Sequence, residues 1–227
     1  MKVLIPVSPI NSLKTRLSEF LSSEERKNLL LNMLRDINKA LEGLDVVIIS
    51  RDEEILEFGK NELKAETIKE KYKGLNKAIK QAFEEIEDDE VIIIPADIPL
   101  IKKRHIEDIL KLSKDYDVII APSRGGGTNL LYLKSKNLIE IKYEGFSFLK
   151  HLEEAKKKNL RYYIYDSFLI SVDINTPEDL GEIFIHGDST YTKNYLKGLG
   201  IEVESKHSSA GRFVVKRGGD NEVSNPM

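Results

Sequence analysis

The sequence contains no cysteine. Disulfides, cysteine-ligated zinc, iron–sulfur clusters and thiol nucleophiles are therefore excluded, and cysteine usage does not report the redox compartment. A basic excess is also missing: 35 Lys and Arg stand against 38 Asp and Glu, a formal net charge of −3. Dedicated nucleic-acid binders normally carry a basic surplus, so no nucleic-acid partner is expected, although a local basic pocket for a small anion stays compatible. No apolar run approaches the roughly 18 residues of a membrane span, and the opening run Val3–Val7 is too short for a signal peptide. A cytoplasmic chain with no membrane partner is expected. Glutamine occurs once, against 26 Lys, 24 Glu and 26 Ile. That bias matches the hyperthermophile trend, with an AT-rich genome as the alternative source.

Several catalytic signatures are absent too. There is no GxxxxGK[ST] phosphate loop, no GxGxxG after the first apolar run and no GxSxG nucleophile elbow. The four histidines, His105, His151, His186 and His207, are dispersed without metal-ligand spacing and read as surface or partly buried residues. His151 is set apart because it follows Ser147 by four residues on a helix face.

What is present is a regular alternation. With 227 residues and 41% hydrophobic content the chain can bury a large core. Apolar runs at Lys2–Val7, Val46–Ser50, Glu66–Ile68, Val91–Pro95, Asp117–Ala121, Asn129–Leu133, 161–165 and 168–172 predict strands. Between them lie helical patterns: one capped at Ser22/Ser23 and stopping near Gly43, then Glu53–Phe58, one opening at Gly74-Leu75-Asn76, 103–113, Ser147–Lys157, and one starting at Pro177 behind Thr176. This order predicts an α/β fold, a mostly parallel mixed sheet with helices on both faces. Residues 1–217 read as a single domain in which 185–217 form an appended α/β element that caps the sheet or meets a second copy. Polar residues 218–227 read as a disordered tail.

In open α/β sheets ligands bind beyond the carboxyl ends of the strands. Lys14, Thr15 and Arg16 follow the first strand, Asp97-Ile98-Pro99 the central one, and Ser123-Arg124-Gly125-Gly126-Gly127 the 117–121 strand. Asp173 follows the predicted 168–172 strand. Two carboxylates from different strand ends suit Mg²⁺, which takes one or two carboxylates with phosphates and waters. Lys14 and Arg16 suit a polyphosphate, the Arg as a bidentate fork and the Lys as a point charge. Glycines let backbone N–H groups approach an anion. Plainer roles stay open for each: a helix cap for Asp97, a turn for Asp173, solvated charges for Lys14 and Arg16, a hairpin bend for the glycines.

Taken in order, these segments resemble one family. A strand ending in Pro6-Val7 is followed by Lys14-Thr15-Arg16-Leu17, then Gly74-Leu75-Asn76, Asp97-Ile98-Pro99, Arg124-Gly125-Gly126-Gly127-Thr128-Asn129, Tyr143-Glu144-Gly145-Phe146-Ser147-Phe148 with His151, and Asp173-Ile174-Asn175-Thr176-Pro177-Glu178-Asp179-Leu180. The pattern resembles archaeal members of the 2-phospho-L-lactate guanylyltransferase (CofC) family of coenzyme F-420 biosynthesis, over about residues 1–217. The glycine loop is one residue shorter than the family's, Gly145 is shifted by one place, and Asn175 stands where the family has a second Asp.

The resemblance implies a nucleotidyltransferase, glycosyltransferase-A-like three-layer fold. It implies transfer of GMP from GTP to 2-phospho-L-lactate with release of pyrophosphate, and a homodimer. It places Mg²⁺ on Asp97 and Asp173, with Glu178 as a further ligand, and catalytic charge on Lys14 and Arg16. Gly74, Leu75 and Asn76 would then lie near the purine, with Lys14, Arg16 and Asp97 on the nucleotide's phosphates. Thr128, Gly145 and Ser147 would hold the acceptor. Phosphoenolpyruvate as acceptor, CTP as donor, or a non-catalytic nucleotide-binding protein are the alternatives.

Overall fold

Residues 1–9, 15–205 and 213–218 are described in the computed structural model. Strand β1 (Lys2–Val7) buries Val3, Leu4 and Ile5 completely, the mark of a strand covered on both faces. With β2 (Asp45–Ser50), β3 (Glu66–Lys69), β4 (Val91–Ile93), β5 (Val118–Pro122), β6 (Thr128–Leu133) and β7 (Tyr162–Ile164) it forms a seven-stranded sheet in the order β3-β2-β1-β4-β6-β5-β7. Only β6 runs antiparallel to its neighbours. The chain works outward from β1 to β3 and then returns to place β4 on the other side of β1. That reversal makes the β1/β4 boundary the topological switch point.

The helices are α1 (Ser23–Ala40), α2 (Glu53–Asn61), α3 (Leu75–Glu85), α4 (Lys103–Leu112), α5 (Ser147–Lys157), α6 (Phe168–Ser171), α7 (Pro177–His186) and α8 (Tyr191–Gly198). Ser22 caps α1 in a reciprocal box: Glu25 N donates to Ser22 Oγ at 3.2 Å and Ser22 N donates to Glu25 Oε2 at 2.8 Å. Asp52 caps α2 through Glu54 N at 3.1 Å. Lys102, not Asp97, is the cap residue of α4, which removes the helix-cap role for Asp97. Side chains alternate across the sheet. Val3, Ile5 and Val7 pack with Leu29, Met33 and Ile37 of α1 in one cluster, while Leu4, Val47 and Ile49 pack with Ala78, Ile79 and Ala82 of α3 in a second. Each fully buried Val, Leu, Ile or Met side chain among them contributes about 1.5–3 kcal/mol relative to exposure.

One expected strand is a helix. Residues 168–172 do not join the sheet; Phe168–Ser171 forms α6, a single turn. Phe168 stays 51% exposed and only Ile170 and Val172 are buried, so this short apolar run lacks the two covered faces that an added strand would need. Asp173 therefore follows a helical turn rather than a strand.

The segment after α7 lies on the helix layer. Asp36 of α1 accepts Tyr191 N at 2.8 Å, Thr192 N at 2.9 Å and Thr192 Oγ1 at 2.6 Å. Burial raises the Asp36 pKa, and these donors oppose the rise. Leu196 and Ile201 join the α1-side core. Strands β8 (Ile201–Ser205) and β9 (Phe213–Arg217) pair only with each other, and Arg217 Nη1 reaches Glu25 Oε2 at 3.1 Å. Of the expected tail, 218–227, Gly218 is described and donates its N–H to Gly200 O at 2.6 Å, while residues 219–227 lie outside the described residues. Among the described residues no helix is long and apolar enough to cross a membrane.

Candidate active site

On the β2 side of the switch point, the ends of β1, β2 and β3 and the start of α3 enclose a cleft of about 440 Å³. Val7, Ile49, Leu75 and Ala78 give it apolar walls, and Arg51, Glu70 and Lys73 also line it. Gly74, at φ +115°, caps α3 in a conformation that side-chain-bearing residues rarely adopt, and it lines the same cleft. Asn76 turns elsewhere: its Oδ1 accepts Tyr143 N at 2.8 Å and its Nδ2 donates to Glu144 Oε1 at 3.1 Å, tying α3 to the turn before α5.

Beyond β4 the chain turns through Pro95 and Ala96 to a half-buried Asp97. Ile174 N donates to the Asp97 carbonyl oxygen at 3.0 Å, so the Asp97 and Asp173 segments run side by side. The Asn175 amide Nδ2 donates to Asp173 Oδ2 and fixes that carboxylate. The residue that departs from the family pattern thus serves to orient its neighbour. Glu178 sits in the first turn of α7. Among the described residues no three His, Cys, Asp or Glu side chains form a metal-holding group. A pair of hard carboxylate oxygens completed by phosphates and waters is still what Mg²⁺ accepts. Arg16 lies exposed in the short 3-10 turn Thr15–Leu17, anchored by the buried Leu17. Lys14 lies outside the described residues.

The three glycines do make a hairpin bend between β5 and β6. Gly126 N donates to Ser123 O at 3.1 Å, and Gly127 N donates to Ser123 Oγ at 2.8 Å. Gly126 has φ +80°, and a Cβ there would sit 2.6 Å from Phe146 Cδ1, so only glycine fits. The bend is fastened toward the metal candidates: Arg124 N donates to Ser171 O at 3.1 Å, and Asn129 Nδ2 donates to Ile170 O at 2.8 Å. Arg124 Nη2 donates to Asp179 Oδ1 at 2.7 Å and Nη1 to Glu182 Oε1 at 3.1 Å. Burial pushes the Asp179 pKa up, but N–H donors from Asn175 and Thr176, the Thr176 hydroxyl and Arg124 outweigh it and hold the carboxyl below its usual range.

Thr128, Ser147 and His151 meet below the bend. Thr128 Oγ1 lies 3.1 Å from Ser147 Oγ and 3.0 Å from His151 Nδ1. All three are buried, at 4%, 3% and 0% exposure. Lys142 N donates to His151 Nε2 at 2.9 Å, so the ring proton resides on Nδ1 and faces Thr128. Burial pushes the His151 pKa down to about 4, which keeps the ring neutral. His105 is buried as well, so two of the four histidines are interior rather than surface residues. His207 lies outside the described residues. Gly145 precedes this group at φ +57°, with Ser147 N donating to its carbonyl at 2.8 Å.

The structure thus brings Thr128, Gly145 and Ser147 together, places Asp97 beside the Asp173 segment, and sets Gly74 and Leu75 against the end of β1. Sequence reasoning missed Arg51, Glu70 and Lys73. The signal was available: Arg51 directly follows β2 and Glu70 directly follows β3, and strand ends were the places to look.

A family model described as "Guanylyl transferase CofC like" matches residues 1–218. A 2-phospho-L-lactate guanylyltransferase from Methanocaldococcus jannaschii is 90% identical over 217 residues, covering 96% of this chain and 97% of that protein. One from Methanocaldococcus fervens is 89% identical over 217 residues, covering 96% of this chain and 100% of that protein. Among solved structures, a putative nucleotide-diphospho-sugar transferase from Desulfovibrio desulfuricans shares the fold, with a TM-score of 0.71 at 20% identity over 87% of this chain and 94% of that one. With a family model spanning the described site from the first strand to the last, the chain belongs to the CofC-like guanylyl transferases.

Proposed function

We propose that this enzyme transfers GMP from GTP to 2-phospho-L-lactate, giving lactyl-2-diphospho-5'-guanosine and pyrophosphate in coenzyme F-420 biosynthesis. The observation that carries the reading is the 90% identity to a relative bearing that activity's name. The grouping of an apolar cleft, two carboxylate segments and a glycine bend at one end of the sheet supports it.

An oxygen of the acceptor phosphate attacks the α-phosphorus of GTP, a new O–P bond forms, and the bond to the β-phosphate oxygen breaks. A phosphate ester has its second pKa near ~6, so the attacking group is already a dianion and no general base is required. That suits a site whose nearby histidine, His151, is buried and held neutral. Catalysis is then positioning and electrostatics. In this reading the guanosine lies in the cleft against Gly74 and Leu75, with Asn76 bracing that wall. Thr128, Ser147 and the backbone near Gly145 hold the acceptor phosphate, and the charges of Lys14 and Arg16 would stabilise the departing pyrophosphate. Asp97 and Asp173 would hold Mg²⁺, with Glu178 adjoining; bound there, the ion neutralises phosphate charge and lowers the repulsion between the two anionic substrates.

The same reading places the enzyme in the cytoplasm as a homodimer, which light scattering of the purified chain tests. For the reaction, the test is mass spectrometry of a mixture of enzyme, Mg²⁺, GTP and 2-phospho-L-lactate. The lactyl diphosphoguanosine mass is expected, and its absence contradicts the assignment.

A further inference from the structure

The phosphate chemistry makes no use of one group in the cleft. Among the residues lining it, Glu70 is the one carboxylate, set against the apolar Val7, Ile49 and Leu75. Its backbone N–H is fixed to Ser50 O at 2.8 Å, directly beyond the ends of β2 and β3. Arg51 Nε lies 3.2 Å from Glu70 Oε1, and the Glu70 side chain is only 10% exposed. Small-ligand sites are commonly built this way, from apolar walls with a few placed polar groups. The carboxylate, facing a guanidinium, offers acceptor oxygens to whatever enters.

We propose that Glu70 reads the guanine base, accepting the N1–H and N2–H protons of GTP, while Arg51 holds the carboxylate in place. The inference rests on the reading that the cleft takes the nucleoside.

Guanine presents two adjacent donors, N1–H and N2–H, and one acceptor, O6. A carboxylate has two oxygens with which to accept both. Adenine presents a bare N1 at the matching position and cytosine a bare N3. Either would set a lone pair against a carboxylate oxygen with no proton between them. The group that binds guanine therefore also rejects the other bases, so selectivity comes from repulsion as well as attraction. Lys73 supplies a donor in the same cleft, which is what O6 requires. Arg51 acts as a positioning residue: its charge offsets the cost of holding a carboxylate at a largely water-excluded position.

Steady-state kinetics with GTP, inosine triphosphate and xanthosine triphosphate test this on the full chain. Inosine lacks the 2-amino group, so the wild-type enzyme should use its triphosphate roughly 10- to 100-fold less well than GTP. In Glu70→Gln the side-chain amide can accept N1–H through its oxygen and donate to the 2-oxo group of xanthine. The ratio of kcat/KM for xanthosine triphosphate to that for GTP should then rise by roughly 100-fold or more. If Glu70→Gln lowers all three nucleotides by one common factor, Glu70 only braces the cleft and the proposal is overturned. Leu75→Asp separates the two levels. Leu75 is 42% exposed at the first turn of α3, where an acid is tolerated, and the new charge would repel any nucleotide entering the cleft. A raised KM for all three nucleotides in Leu75→Asp, with wild-type base ranking in Glu70→Gln, keeps the cleft and removes Glu70. Unchanged KM values in Leu75→Asp remove the cleft itself.

Discussion

Ile174 donates its backbone N–H to the carbonyl oxygen of Asp97 at 3.0 Å. This one bond joins the turn after β4 to the turn after α6, so Asp97 and Asp173 reach the same end of the sheet from distant parts of the chain. Neither segment depends on the Asp97 side chain for that contact, because the acceptor is backbone.

Asp97→Asn should for that reason keep the fold while removing a charge. Turnover in Mg²⁺ is expected to fall roughly 100-fold or more, the scale seen when one preorganised electrostatic contact is lost. The thermal midpoint should stay close to wild type. Near-wild-type turnover would remove Asp97 from the metal site.

Ser147→Ala deletes the buried hydroxyl that donates to Thr128 Oγ1 at 3.1 Å. The KM for 2-phospho-L-lactate should rise more than the KM for GTP. A larger change in the GTP value would contradict the placement of Ser147 on the acceptor.

Arg124→Ala should act on stability first. Its guanidinium joins Asp179 and Glu182, whose side chains are 12% and 3% exposed. Removing the cation leaves two largely buried carboxylates without it, at a cost of about 3 kcal/mol, the lower end for a broken buried pair. Chemical denaturation measures this. A loss within experimental error would mean that the clamp is not needed to hold the glycine bend against α7.

Two buried histidines set an acid limb. Burial lowers the pKa of both His151 and His105 from 6.5 to about 4. Between those values the unfolded chain binds protons that the native chain refuses. Stability is therefore full above about pH 6.5, falls as the pH drops through that window, and levels off near 4, by up to about 3 kcal/mol for each ring. Ring titration by NMR checks it directly. A His151 ring that titrates near 6.5 would contradict the neutral, Thr128-facing tautomer.

Much of this architecture was legible in the sequence because strong local signals agreed with one another. The Ser22 cap with acids in the first turn, the Thr176-Pro177 start and the unbroken apolar run of β1 each have a local cause, and each forms where expected. Residues 168–172 failed because a five-residue apolar run fits a strand or one helical turn equally well, and only tertiary burial decides. The pairing of Thr128 with His151, and of Arg124 with Asp179, joins residues from different elements, so no spacing rule exposes it. Glu70 was legible in principle. It follows a strand, but a single Glu in a chain with 24 of them has no local mark of function.

The most direct test of the account is pyrophosphate release from GTP and Mg²⁺, followed with and without acceptor. Release that depends on 2-phospho-L-lactate, and that fails when CTP replaces GTP, is the predicted result. Release driven by phosphoenolpyruvate in preference to 2-phospho-L-lactate, equal release from CTP, or no release with any acceptor would contradict it.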